Sequence, residues 1–177
     1  MPTMSFYARR FNLYLLLTAA LALVSGCDTF KNKDKPVAVL RIHIESAAKM
    51  PGASKTISLL RSEPVMVNIA PGPILTEANI VAAKLIETTG GFAMELKLDD
   101  SGSWTLEQYA ASNPGQHLVI FGQWGDKLVN SRWLAAPSIN RRMAGGTLAF
   151  TPDASRDETK QLVDGLNLTA KHNAAKK

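Results

Sequence analysis

Side chains able to do covalent or acid–base chemistry are few in this chain. It holds one cysteine, Cys27, and three histidines, His43, His117 and His172. A thiolate is a nucleophile and a metal ligand, but a single cysteine closes no internal disulfide. The histidines lie far apart, none at the spacing of a metal-binding pair. Asp99 and Asp100 could act as paired carboxylates, with Glu95 and Glu107 nearby in sequence. At the exit of a strand, however, adjacent aspartates suit a solvated turn. Asp153, Asp157 and Glu158 gather at a helix start, where the helix dipole accounts for them. No nucleophile elbow, phosphate loop or dinucleotide fingerprint occurs, and Gly145-Gly146 reads as a tight turn. The sequence therefore points to a protein that is not an enzyme and carries no cofactor and no metal. Of the three tryptophans, Trp124 falls at an expected hairpin tip and is the candidate interaction residue, exposed to a partner. Trp104 and Trp133 are expected to pack in or on the core.

The thiol gains meaning from its neighbours. Arg9 and Arg10 precede an apolar run from Leu13 to Val24, about half of the roughly 20 residues a membrane-spanning helix needs. A basic start, a short apolar middle and small residues at the end describe a secretory signal peptide over residues 1–26. Val24-Ser25-Gly26-Cys27 resembles the bacterial lipoprotein signal, in which the cysteine thiol receives a diacylglyceryl group. The resemblance implies that Cys27 is lipidated and holds the chain to the membrane. One acyl chain anchors only marginally, so two or three are needed for a stable hold. Asp28 resembles the residue that retains enteric lipoproteins in the inner membrane. The Arg9-Arg10 pair is only weakly like a twin-arginine signal, since Phe11 follows directly, and the general secretion route is favoured.

The elements that must carry these residues can be read next. Residues 27–36 form a lipidated, polar tether ending in Pro36. Residues 37–70 read as extended strands: Leu40, Ile42 and Ile44 alternate with Arg41, His43 and Glu45, and a second extended stretch is broken near Glu63-Pro64. Thr76 looks like an N-cap, and Ala78, Val81, Ala82 and Leu85 at helical spacing predict an amphipathic helix over residues 77–88, stopped by Gly90-Gly91. Phe92, Met94, Leu96 and Leu98 alternate as a strand. A short helix is expected over 103–111, then a strand from His117 to Gln123. Gly125-Asp126 suits a two-residue hairpin turn, and a strand returns over 127–134. A strand over 147–150 and a helix opened by the Ser155–Glu158 capping box complete residues 71–169. Residues 170–177 read as a disordered basic tail. Strands and helices intermixed with antiparallel returns give an α+β class, a sheet with helices on one face. The net charge is +5, and +3 without residues 1–26, whose two charges are both arginines. Such a charge, spread along the chain, excludes a nucleic-acid partner, which needs a clustered basic face.

Several phrases in order resemble the periplasmic head region of SecD, the protein-export membrane protein. They are Ile74 to Ile80, Phe92 to Asp99, Gln116 to Phe121, Ala135 to Ile139, Gly145-Gly146 and Phe150-Thr151, then a helix with Leu162, Gly165 and Leu166. The resemblance implies a ferredoxin-like antiparallel sheet with helices packed on one face, here with an extra N-terminal strand pair. SecD itself has six membrane-spanning helices and works with SecF on the proton gradient. Beyond its signal this chain has no stretch long enough to span, so it is not expected to be that motor. The expectation is a membrane-anchored, periplasm-facing module that binds an envelope protein or an exported polypeptide. The alternatives are an envelope-modifying enzyme using Glu95, Asp99, Asp100 or Glu107, and a lipoprotein that spaces envelope layers.

Overall fold

The computed structural model describes residues 38–46, 54–60, 62–139 and 145–175. Cys27, Asp28, the signal segment and the tether lie outside the described residues, as do Arg141 and Arg142.

Alternating apolar residues build most of the strands. β1 (Val39–Ile44), β2 (Lys55–Leu59), β3 (Val65–Ile69) and β4 (Leu75–Thr76) come first. Then follow β5 (Ile80–Thr88), β6 (Gly91–Leu98), helix α1 (Asp100–Ser112), β7 (Leu118–Trp124), β8 (Asn130–Ala135), β9 (Thr147–Phe150) and helix α2 (Arg156–Ala174). Every strand pair is antiparallel. The strands form a four-stranded sheet in the order β4-β1-β7-β8, a three-stranded sheet β5-β6-β9 and the hairpin β2-β3. The class is thus α+β, as the sequence predicts.

β1 is an inner strand of the larger sheet, with Ile42 opposite Ile120 on one side and Leu75 on the other. The first strand of residues 37–70 therefore belongs to the main domain, and the additional pair is β2-β3 alone. β3 and β4 flank the same side of β1 in succession. Ala70 N–H donates to the Ile44 carbonyl (3.1 Å) and Ile74 N–H to the Ile42 carbonyl (2.8 Å), on either side of the Pro71-Gly72-Pro73 break.

The main core joins both sheets and both helices: Leu40 and Ile42, Leu118 and Ile120, Met94 and Leu96, Leu148 and Phe150, Leu106 of α1, and Leu162 and Leu166 of α2. Each such side chain, fully buried, contributes about 1.5–3 kcal/mol. The other face of the four-stranded sheet is also covered. Ile57, Leu59 and Ile69 of the hairpin pack with Val119 in a second cluster, flanked by Trp133 and Ala136.

Three expectations are corrected. Residues 80–88 are a strand, paired with β6 from Ile80–Leu98 to Thr88–Gly91. Only a single 3₁₀ turn (Glu77–Asn79) follows the Thr76 cap. The residues that suggest a helical face do not share one: Ala78 and Val81 are exposed and Ala82 and Leu85 half-buried, while Ile80 and Ala83, on either side of a β-bulge between Ile80 and Ala82, are the buried ones. The β7–β8 connection is longer than a two-residue turn, because Trp124 pairs with Asn130 and residues 125–129 loop between them. Lastly, α2 runs on to Ala174 through residues expected to be disordered. Thr169 is buried there and bonds the Gly165 carbonyl (3.0 Å), while Lys171 and His172 sit in the last turn, where the dipole favours positive charge.

Candidate interaction surface

Trp124 is not the exposed tip residue the sequence suggests. It ends the core-facing alternation Leu118, Ile120, Gly122, Trp124 and is 1% exposed. Because the loop takes residues 125–129, the strand carries Trp124 inside before the chain turns. Gly125 makes the exit with φ +87°, where an added Cβ would lie 2.8 Å from the Asn130 amide. The Arg132 guanidinium lies 5.5 Å from the Trp124 ring centroid. It also donates to the Asp153 carbonyl (3.0 Å) and, as a fork, to Glu158 (3.3 and 3.2 Å). Glu158 in turn accepts from Ser155 N–H (2.8 Å). Those backbone and guanidinium bonds hold its carboxyl down to about 2. The period of two along β7 was the signal that places Trp124 inside.

Trp104 is the exposed tryptophan, at 65%, on the face of α1 away from buried Gly102, Leu106 and Ala110. Trp133 is half-buried beside Phe121 (5.0 Å between ring centroids) and His43 (5.5 Å, edge-on), at the cluster under the hairpin.

The carboxylates have structural posts. Asp99 is the N-cap of α1, accepting from Gly102 N–H (2.8 Å), and Asp100 sits exposed in the first turn. Glu95 lies on the outer face of β6, opposite Lys84 on one side and Ala149 on the other. Glu107 lies on α1, half-exposed. Among the described residues no three His, Cys, Asp or Glu side chains gather as a metal site.

Two histidines sit at the junction of β1, β7 and the hairpin. His43, expected on the polar side of β1, is buried because β2-β3 covers that side. Its Nδ1 lies 3.0 Å from the Ala70 carbonyl, which can only accept, so the neutral ring donates through Nδ1–H. Burial pushes its pKa below the usual 6.5, the bond to Ala70 opposes that, and the charges of Arg41 and Lys55 add to the lowering. His117 donates from Nδ1 (2.6 Å) and from its backbone N–H (3.0 Å) to one Glu45 oxygen. Seventy-two positions separate these two residues, and only the β1–β7 pairing brings them together.

The two edges of the three-stranded sheet differ. Along β5, the Asn167 side chain of α2 imitates a neighbouring strand: Ala83 N–H donates to Asn167 Oδ1 (2.9 Å), and Asn167 Nδ2 donates to the Ala83 carbonyl (2.9 Å). Arg156, at the start of α2, pairs with Glu87 farther along β5. At the opposite edge lies β9, with β6 as its partner. Gly146, just before β9 at φ +64°, leaves no room for a Cβ against Ser103 of α1, so this glycine serves close packing.

No protein-family model matches the chain, and no curated protein matches it. Solved structures do. A crystal structure of SecDF in a super-membrane-facing form superposes with a TM-score of 0.53 at 19% identity, covering 75% of this chain and 19% of that one. The fold is SecDF-like. A second structure, of SecDF as a membrane component that enhances protein export, gives a TM-score of 0.52 at 18% identity over 95% of this chain and 71% of that one. This chain thus spans a fifth of the first SecDF chain. At such identities the likeness speaks to fold. Among the described residues, no helix is long and apolar enough to cross a membrane.

Proposed function

We propose that this chain is a non-catalytic, protein-binding accessory module of the bacterial cell envelope, held to the membrane by lipid on Cys27 and linked to protein export. The observation that carries the reading is the SecDF-like fold over 95% of the chain. The spent carboxylates support it: Asp99 is occupied as a helix cap, and Glu158 is tied into a cap and an ion pair. The lipid anchor rests on Val24-Ser25-Gly26-Cys27, and the inner membrane on Asp28.

Affinity purification of the tagged protein from gently solubilised membranes, with a Cys27→Ser control, tests this. Enrichment of translocase subunits or nascent exported chains, together with loss of membrane fractionation in Cys27→Ser, is the expected result. Recovery of neither class of partner would overturn the export link. Unchanged fractionation of Cys27→Ser would overturn the anchor.

A further inference from the structure

We propose that the outer edge of β9, Thr147–Phe150, is a docking edge for an extended segment of another polypeptide, added as a further strand to β5-β6-β9. This rests on the protein-binding reading above and names its surface. The direction of the free backbone groups follows from register. Leu98 N–H donates to the Gly146 carbonyl (2.8 Å), Leu96 stands opposite Leu148, and Met94 opposite Phe150. Bonded pairs alternate along an antiparallel ladder, so Gly146, Leu148 and Phe150 turn their backbone groups toward β6. Thr147 and Ala149 turn theirs outward. Among the described residues no strand pairs with them, and the side chains of both are exposed.

Proteins commonly blunt a sheet edge with charge, proline, a bulge or a covering element. The β5 edge of this same sheet has such cover in Asn167 and Arg156. Between Gly145 and Thr151 the β9 edge carries neither a charged residue nor a proline, and among the described residues no further strand pairs with it. A row of free N–H and C=O groups at strand spacing recognises another backbone, whatever its side chains. Pairing with a second copy through four residues would bury far less than the roughly 1,000 Å² a stable interface needs. The edge therefore suits brief capture of an extended chain, with small neighbours Thr147 and Ala149 leaving side-chain choice open.

The test uses the full chain and a fluorescent peptide of alternating threonine and valine, read by anisotropy. Ala149→Pro removes an outward N–H while leaving the bonds of Leu148 and Phe150 to β6 in place. It should weaken peptide binding by roughly tenfold, the worth of one or two peptide hydrogen bonds. Thr147→Lys, a milder edge block, should weaken binding in the same direction if the proline variant fails to fold by circular dichroism. N-methylation of alternate peptide residues should abolish binding in one phase and spare it in the other, which side-chain capture would not show. Binding unaffected by the edge variants, or absent up to about 1 mM, would overturn the docking edge. So would an edge-dependent dimer in sedimentation that takes up no peptide. Should the edge fail these peptide tests while the tagged wild-type chain still recovers translocase subunits from membranes, the export reading stands and the edge alone falls.

Discussion

Replacing Asn167 with alanine strips the cover from the β5 edge, and the structure sets the scale of the loss. The Asn167 amide satisfies both the N–H and the carbonyl of Ala83, whose residue is only 3% exposed. A buried peptide group left without a partner costs about 1–3 kcal/mol. Alanine's better helix propensity returns roughly half a kcal/mol, because position 167 lies inside α2. With both the N–H and the carbonyl left unpaired, Asn167→Ala should therefore lower stability by about 1.5–5.5 kcal/mol, or roughly 3–22 °C in Tm for a chain of this size. Asn167→Asp separates the two bonds. It keeps an acceptor for Ala83 N–H but sets a carboxylate against the Ala83 carbonyl. Below the carboxyl pKa the protonated acid can donate again, so this variant should regain stability relative to wild type as the pH falls toward about 4. Urea unfolding at pH 7 and pH 4, followed by circular dichroism, reads both effects. An alanine variant within about 0.5 kcal/mol of wild type would mean that the two Asn167 bonds do not hold the β5 edge, since a surface substitution does no more.

His43 gives a second pH effect of opposite sense. Its folded pKa lies below the unfolded value near 6.5, so the unfolded chain binds the extra proton and stability declines as pH falls from about 6.5 toward the folded pKa. His43→Leu should flatten the urea midpoint against pH in that window. Glu158 acts lower on the scale: its carboxyl is held at about 2, so its contribution is complete above the ordinary range near 4.5 and is lost as pH falls through about 2. Glu158→Ala should cost about 1–2 kcal/mol at pH 7 in the same unfolding assay and reduce the wild-type slope in acid. Fluorescence quenching by acrylamide should separate the tryptophans. Trp104→Phe should remove the readily quenched emission and change the unfolding midpoint little, whereas Trp124→Ala should cost about 3–5 kcal/mol.

The residues whose environment is set by near neighbours were legible. Ser155 and Glu158 form the predicted capping box, Phe92 to Leu98 alternate as expected, and Asp99 turns into a helix. Failures came where a distant element decides. The spacing of Ala78, Val81, Ala82 and Leu85 suggests a helix, but pairing with β6 makes residues 80–88 a strand with a bulge after Ile80, which no local pattern reveals. His43 alternates onto the polar side of β1, and nothing in that alternation reveals that β2-β3 folds over it and buries it. A two-residue turn at Gly125-Asp126 would put Trp124 at an exposed tip, but the alternation of β7 turns it inward and the loop is longer. The Asn167–Ala83 and Glu45–His117 contacts join residues 84 and 72 positions apart, and no local pattern announces either.

The place of β1 has a mechanical meaning. The chain enters the described domain at Ala38 and passes straight into an inner strand, held by six register pairs to β7 and two to β4. Antiparallel ladder bonds run perpendicular to their strands. A pull on the chain ahead of Ala38, directed along β1, would load those rungs together in shear instead of peeling them singly. An edge strand pulled away from its sheet would open like a zip. With β1 between β4 and β7 at the entry point, tension along the chain there would meet the whole ladder at once.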